Sequence, residues 1–182
     1  MRTDRWEIDS SHSSVHFSVR HLVIAKVRGT FTRWSGTLQV PNGDFSKATA
    51  TVAIDASSID TGVADRDSHL KSAEFFDVAQ FPELRFVAKR VQQHSGNDID
   101  VIGDLTIKGI THEVVLLVEQ HGLAKDPWGN VRAAFTAKTS IDRRDFGLTS
   151  NQVLETGGVM IGDRVEIEAE IQAVKQVEAQ VA

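Results

Sequence analysis

A chain of 182 residues, 41% hydrophobic and 25% charged, has an ordinary water-facing composition and enough length for one sizeable core. Its net charge of −5 disfavours binding along a phosphate backbone, which needs a basic face, so no nucleic acid partner is expected. With no cysteine, disulfides, thiolate catalysis and cysteine-ligated zinc are excluded.

The N-terminal MRTDRWEIDSSH has no apolar stretch of the length a signal peptide or membrane span needs. The expectation is a cytoplasmic protein with no stable membrane insertion. One domain over 1–182 is expected, with 175–182 as a frayed tail; no repeat, low-complexity tract or linker interrupts it.

Extended segments are predicted near 14–21, 27–40, 48–56, 83–91, 98–108, 112–121, 131–141 and 163–174. Turn chemistry separates them: Pro41-Asn42-Gly43-Asp44, Ser95-Gly96-Asn97-Asp98, Asp126-Pro127-Trp128-Gly129-Asn130, and the glycines at 157, 158 and 162. This spacing suits hairpins closed into a barrel or a sandwich. One helical crossover is predicted near 65–77, where Leu70, Ala73 and Phe76 lie three apart, and it ends before Phe81-Pro82. The last strand shows the pattern most cleanly: Val165, Ile167, Ala169, Ile171 and Ala173 fall on one face, and Arg164, Glu166, Glu168, Glu170 and Gln172 on the other.

Applying that alternation throughout places Phe17, Val19 and His21, Phe31, Leu38, Ile54, Phe86, Val101, Gly103, Leu105, Leu116, Ala133, Phe135, Ala137, Ile167 and Ala169 inside. Several inward residues, among them Ala56, Ala88, Gly103, Ala133, Ala137, Ala169 and Ala173, contribute little volume. An eight-stranded barrel is just filled by large side chains, or holds one small ligand when they are lacking. Two outcomes follow: a cavity, or small residues packed beneath larger neighbours. A cavity would have almost no ionisable group on its wall apart from His21 at one end, and its ligand would be apolar over most of its length.

Four strings carry a family resemblance: HSSVHFSVRHLVIAKVRGTF from His12, RDSHLKSAEFFDVAQFP from Arg66, GDLTIKGITHEV from Gly103 and IDRRDFG from Ile141. In this order and spacing they resemble the YceI-like polyisoprenoid-binding family, over roughly Trp6 to Ala173. The resemblance implies an all-β, elongated, eight-stranded antiparallel barrel of lipocalin-like shape with an apolar tunnel. It also implies binding of polyprenyl phenols of the quinone-pathway type or other long-chain amphiphiles, often in a homodimer. Many relatives carry a secretory leader, from which this chain departs.

The remaining candidate chemistry is weaker. Seven histidines invite a metal, but their parities disperse them: His12 and His16 share a face, His21 points the other way, and no His-x-Glu or His-Glu-x-x-His spacing occurs. No metal and no cofactor are expected. Arg66, Asp67 and His69 crowd the crossover start; Asp67 or Ser68 suits a helix cap, Arg66 a fastening to the barrel rim, and Arg66 and His69 contact with a ligand's head group. Arg143 is a further head-group or rim candidate, and Lys108-Gly109 reads as a turn. Val115 and Leu117 make the strand at 112–121 apolar on both faces, which calls for cover by the crossover or by a second subunit.

The expected function is non-enzymatic carriage or sequestration of a long-chain apolar lipid, most simply a polyisoprenoid. Two other readings stand beside it: a small barrel enzyme of cyclase or isomerase type acting on a bound lipid, and a stress-related structural or interaction protein with a filled core.

Overall fold

The computed structural model describes residues 1–22, 24–151 and 160–177. Eleven strand segments form: β1 (Thr3–Ile8), β2 (Ser14–His21), β3 (Ala25–Phe31), β4 (Trp34–Pro41), β5 (Thr49–Asp55), β6 (Ile59–Asp60), β7 (Glu83–Ser95), β8 (Asp98–Ile107), β9 (Ile110–Lys125), β10 (Val131–Asp142) and β11 (Ile161–Lys175). Neighbours pair antiparallel in the order β1-β4-β5-β7-β8-β9-β10-β11, and β11 returns to β1, so an eight-stranded barrel closes. The other three segments prolong bent strands: β2 takes over from β1 along β11, β3 pairs with β2, and β6 with β3. Closure pairs the barrel strands with a neighbour on each side over much of their length, leaving one-sided stretches such as residues 25–29 of β3 beyond its two-residue pairing with β6.

The strand β1, absent from the predicted set, is only six residues long, and the alternation of Asp4, Trp6 and Ile8 is too brief to announce itself. The predicted strand at 27–40 is interrupted at Thr32 and Arg33. The bends have a common local cause. Short 3-10 turns at Ser10–His12, Phe45–Lys47, Ala56–Ser58 and Arg143–Phe146 each follow an aspartate, Asp9, Asp44, Asp55 or Asp142, whose carboxylate accepts the backbone N–H two residues on. In the first three the residue at that position is serine, whose hydroxyl donates to the same oxygen at 2.6, 2.6 and 2.7 Å.

The helix α1 (Ala64–Lys71) is shorter than the predicted 65–77. Its chain folds back instead: Phe76 N–H donates to Leu70 C=O and Asp77 N–H to Ser72 C=O, with Asp77 at φ +48. That return lays Phe75 and Phe76 against the barrel. The expected cap is also different, since Val63 precedes the helix without a side-chain bond. Asp67 instead accepts from the backbone N–H and hydroxyl of Thr61, and Arg66 donates to the Thr61 hydroxyl and carbonyl, so both fasten the crossover to the end of β6.

Two apolar clusters close the barrel's ends. At one end Trp6, Leu38, Val40, Ala133 and Ala173 form a floor, with Phe45 edge-on to Trp6 at 5.4 Å. At the other, Phe31, Ala56, Ile59, Leu84, Leu105, Ile107, Phe146 and Leu148 pack with the crossover's Leu70 and Phe76. The β8–β9 turn is tight, with Lys108 and Gly109 both at positive φ, a conformation glycine adopts freely. Val115 and Leu117 are 45% and 58% exposed, so the crossover does not cover them.

Gly103 meets a different constraint. A Cβ there would lie 2.5 Å from the Val87 carbonyl oxygen and 2.6 Å from the Phe86 ring. Because backbone must move to admit it, Gly103→Ala is expected to cost about 1–3 kcal/mol. Urea unfolding of the variant checks this.

Beside the floor, Arg132 bridges Asp9 at 2.8 Å and Asp126 at 3.0 Å, tying the β1–β2 bend to the β9–β10 hairpin. Burial opposes ionisation of Asp126, but hydrogen bonds from Asn130, Arg132 and Trp128 outweigh it and hold its pKa at about 2; Asp9 is held low by Arg132, Ser11 and His12. Both values are depressed by folding, so their contribution is fully present above the unfolded value of 3.8 and is lost as pH falls towards 2. Thermal melts should show Asp126→Asn less stable than the native protein at neutral pH, yet losing less between pH 4 and 2.

Candidate functional site: an apolar cavity and its charged end

The inward faces do not fill the barrel. Phe86, Val101, Val114, Leu116, Phe135, Ala137, Ile167 and Ala169 point inwards yet remain partly accessible, because no side chain lies opposite them. The space they leave is a cavity of about 820 Å³, at the upper end of ligand-site volumes. The Ala137–Ala169 pair sits side by side on β10 and β11, and where two larger residues would meet the wall is recessed.

Of the sequence-predicted inward residues, Phe17, Val19, His21, Phe31, Leu38, Ile54, Phe86, Val101, Leu105, Leu116, Phe135, Ala137, Ile167 and Ala169 line this cavity. Gly103 and Ala133 do not. Gly103 lies beneath the Phe86 ring, and Ala133, 1% exposed, is packed into the floor. The small residues therefore divide: some sit under larger neighbours, whereas Ala137 and Ala169 face empty space. Further wall comes from residues whose position depends on turns rather than strand parity: Phe45, Ala48, Leu70, Phe75, Phe76, Met160 and Ile161. The apolar Phe75-Phe76 pair in the crossover was the available signal.

His21 is not the sole ionisable group on the wall. His16 and Arg20 on β2 also reach the cavity, as do Asp65, Arg66, His69, Glu74 and Arg143 at the crossover end. Strand alternation could not find them: His16 and Arg20 have outward parity, and the others sit on α1, its following turn and the turn after β10. His69 pairs with Glu74 at 2.5 Å and stands edge-on to Phe75 at 5.1 Å. His112 is occupied elsewhere, at the Asp145 carbonyl and against Phe146. Among the described residues no three His, Cys, Asp or Glu side chains converge as a metal site.

Arg143 is not an exposed rim charge. It is 4% exposed and donates to the carbonyls of Leu148, Ser150, Ile161 and Gly162, with Asp163 at 3.5 Å. Its guanidinium is thus a clasp across the two sides of the β10–β11 connection, and burial pushes its pKa down while Asp163 and Asp142 oppose that. A head-group role for Arg143 gives way to this structural one, since its fork is taken up by carbonyls. Arg66 and His69 stay at the cavity's end.

A closed antiparallel barrel with a largely apolar interior cavity, and most of the ionisable groups on its wall at one end, is a ligand-cavity type of barrel. The family model described as YceI-like domain matches residues 6–173, and the chain belongs to the YceI-like family. A UPF0312 protein of Staphylococcus aureus strain MSSA476 is 41% identical over 162 residues, covering 88% of this chain and 92% of that protein. One from Staphylococcus epidermidis strain ATCC 12228 is 40% identical over 166 residues, covering 91% and 94%. Among solved structures, Burkholderia cenocepacia BcnA superposes with a TM-score of 0.77 at 22% identity, covering 91% of this chain and 98% of that one. The Campylobacter jejuni YCEI protein gives 0.73 at 27%, covering 87% and 90%. A polyisoprenoid binding domain from Saccharophagus degradans, implicated in plant cell wall breakdown, gives 0.73 at 16%, covering 94% and 98%; at that identity the likeness is one of fold.

Arg143→Met keeps much of the side chain's length but removes the donor to the Leu148, Ser150 and Gly162 carbonyls, while the Ile161 carbonyl keeps Asn151. At about 1–3 kcal/mol per buried unsatisfied group, a loss of about 2–3 kcal/mol is expected. Urea unfolding checks the loss, and lipid uptake per folded molecule should be unchanged, which a head-group role would not allow.

Proposed function

We propose that this protein is a non-enzymatic carrier or sequestering protein for one long-chain apolar lipid, most simply a polyisoprenoid of the polyprenyl phenol type. The observation that carries this reading is the segregation of the cavity: its length is walled mostly by aliphatic and aromatic side chains from the barrel strands, and most of its ionisable groups, Asp65, Arg66, His69, Glu74 and Arg143 among them, stand at one end. A long chain with one polar terminus has the same division. The Saccharophagus degradans domain, named for polyisoprenoid binding, supports the choice of ligand class.

In this reading Phe17, Phe86, Leu116, Phe135 and Ile167 contact the chain, and Arg66 and His69 stand beside the head group. Burial alone supplies the affinity. At about 0.8 kcal/mol per CH2 removed from water, a chain of some tens of carbons exceeds the practical ceiling of about 20 kcal/mol, so ordering costs set the final value. The exposed Val115 and Leu117 on β9 suit a homodimer, in which a second copy covers them.

Two measurements test the proposal together. Native mass spectrometry of the purified protein, and of protein exposed to polyprenyl and long acyl probes, should show one lipid per chain. Ala137→Phe places a ring in the recessed wall, so uptake should fall about tenfold or more while the melting temperature changes little; Glu168→Gln, on the outer face, should leave both unchanged. Apo protein under every condition would sink the lipid reading. Lost stability with unchanged uptake would mean that the ligand lies elsewhere.

A further inference from the structure

The end of the barrel that carries the ionisable groups also carries an apolar projection. The β2–β3 hairpin begins at the cavity, with His21 on its wall, and turns immediately beyond it. At the turn Leu22 is 39% exposed and Ile24 is 89% exposed. Leu22 also takes a left-handed φ of +54, held by its backbone N–H donating to the Met160 carbonyl at 2.9 Å. A bulky apolar residue gains nothing from that conformation in water, where polar residues or glycine serve better. Exposed Leu and Ile at a tight turn are what a less polar medium would accept.

The outer face of the same hairpin is basic. Arg20 stands opposite Lys26 in the ladder, and Arg28 follows opposite Ser18. Arg164 at the start of the adjoining β11 outer face extends the row, and Glu166 lies 3.7 Å from Lys26 and 4.0 Å from Arg164, so the row sets four cations against one carboxylate. This concentration of positive charge runs against the chain's net −5, so it is a local feature rather than a reflection of composition. Apolar tip residues flanked by a basic face match the headgroup boundary of an anionic bilayer: the side chains at the tip reach the acyl region while the cations meet phosphates.

We propose that the β2–β3 hairpin is a docking finger for an anionic phospholipid bilayer, with Leu22 and Ile24 entering the interface and Lys26 and Arg28 meeting the phosphates. Arg20 also reaches the cavity, so docking at the tip sets the cavity end against the membrane, where a lipid exchanges between bilayer and barrel without crossing water. The contact is peripheral. The remaining outer faces, such as Arg164, Glu166, Glu168 and Glu170 on β11, are charged where a membrane-spanning barrel would be apolar. The proposal rests on the lipid-carrier reading for its purpose, but docking itself can be measured separately.

The test uses the full chain and the double variant Leu22→Ser/Ile24→Asp, whose substituted side chains are exposed and whose melting temperature should match the native protein. Vesicle flotation should capture the native protein on phosphatidylcholine–phosphatidylglycerol vesicles and not on phosphatidylcholine alone, with capture lost in the variant and weakened by salt. Transfer of a fluorescent polyprenyl probe from the anionic vesicles should slow about tenfold or more in the variant, as expected for loss of buried aliphatic side chains. Uptake of the same probe from cyclodextrin should be unchanged. Equal vesicle transfer by native and variant protein would overturn the docking proposal, as would a tip that proves to bind a second copy, seen as a native dimer that the variant dissociates without any flotation. Failure of native uptake from both donors would instead refute the lipid reading, and flotation alone would then decide the docking.

Discussion

Closure of the backbone ladder is the constraint on which everything else depends. Each of the eight rungs must pair on both sides, and the return of β11 to β1 and β2 completes the circuit. Once closed, the ring fixes an interior whose size is set by strand number and tilt, independently of the side chains present. The inward residues then fill it or leave it empty. Here the two ends are filled by the Trp6 and Phe146 clusters, and the length between them is not.

The bends make that arrangement possible. A long straight strand could not serve both the floor and the crossover end, and the Asp-capped turns let one chain segment change neighbours without leaving backbone groups unpaired. At the β1–β2 bend Asp9 N–H donates to Gln172 C=O and Gln172 N–H to the Ser13 hydroxyl, so the interruption remains stitched to β11. The aspartate carboxylates are local organisers whose low pKa values follow from the donors they accept. Two strand carboxylates are held low in the same way, Asp4 on β1 by Lys175 and Glu113 on β9 by Lys89, and all of these groups stand away from the apolar wall.

The cavity's polarity is divided by element type. Strands supply an apolar wall because their inward parity was spent mostly on Val, Ile, Leu, Phe and Ala; turns and the short helix, which are not bound by that parity, supply most of the charges, and β2 adds His16, Arg20 and His21. Arg143 shows the difference between a charge's presence and its availability. It reaches the cavity but is held by four carbonyls, whereas Arg66 is tied to Thr61 and His69 pairs with Glu74 inside the crossover.

The alternation of residues 164–173 fixed which faces are dry, and four ordered motifs pointed to the family and hence to the barrel; fourteen inward residues followed from parity alone, which is a local property of extended chain. Parity could not distinguish Ala137 from Ala133, since both are small and inward. The difference lies in what stands across from each: open space for one, the Trp6 cluster for the other. Gly103 likewise reads as missing volume until the Phe86 ring is seen lying over it. The short β1, the return of the crossover at Phe76 and the burial of Arg143 were decided only by tertiary structure, because each depends on partners far along the chain, and a sequence window contains the residue but not the group it will meet.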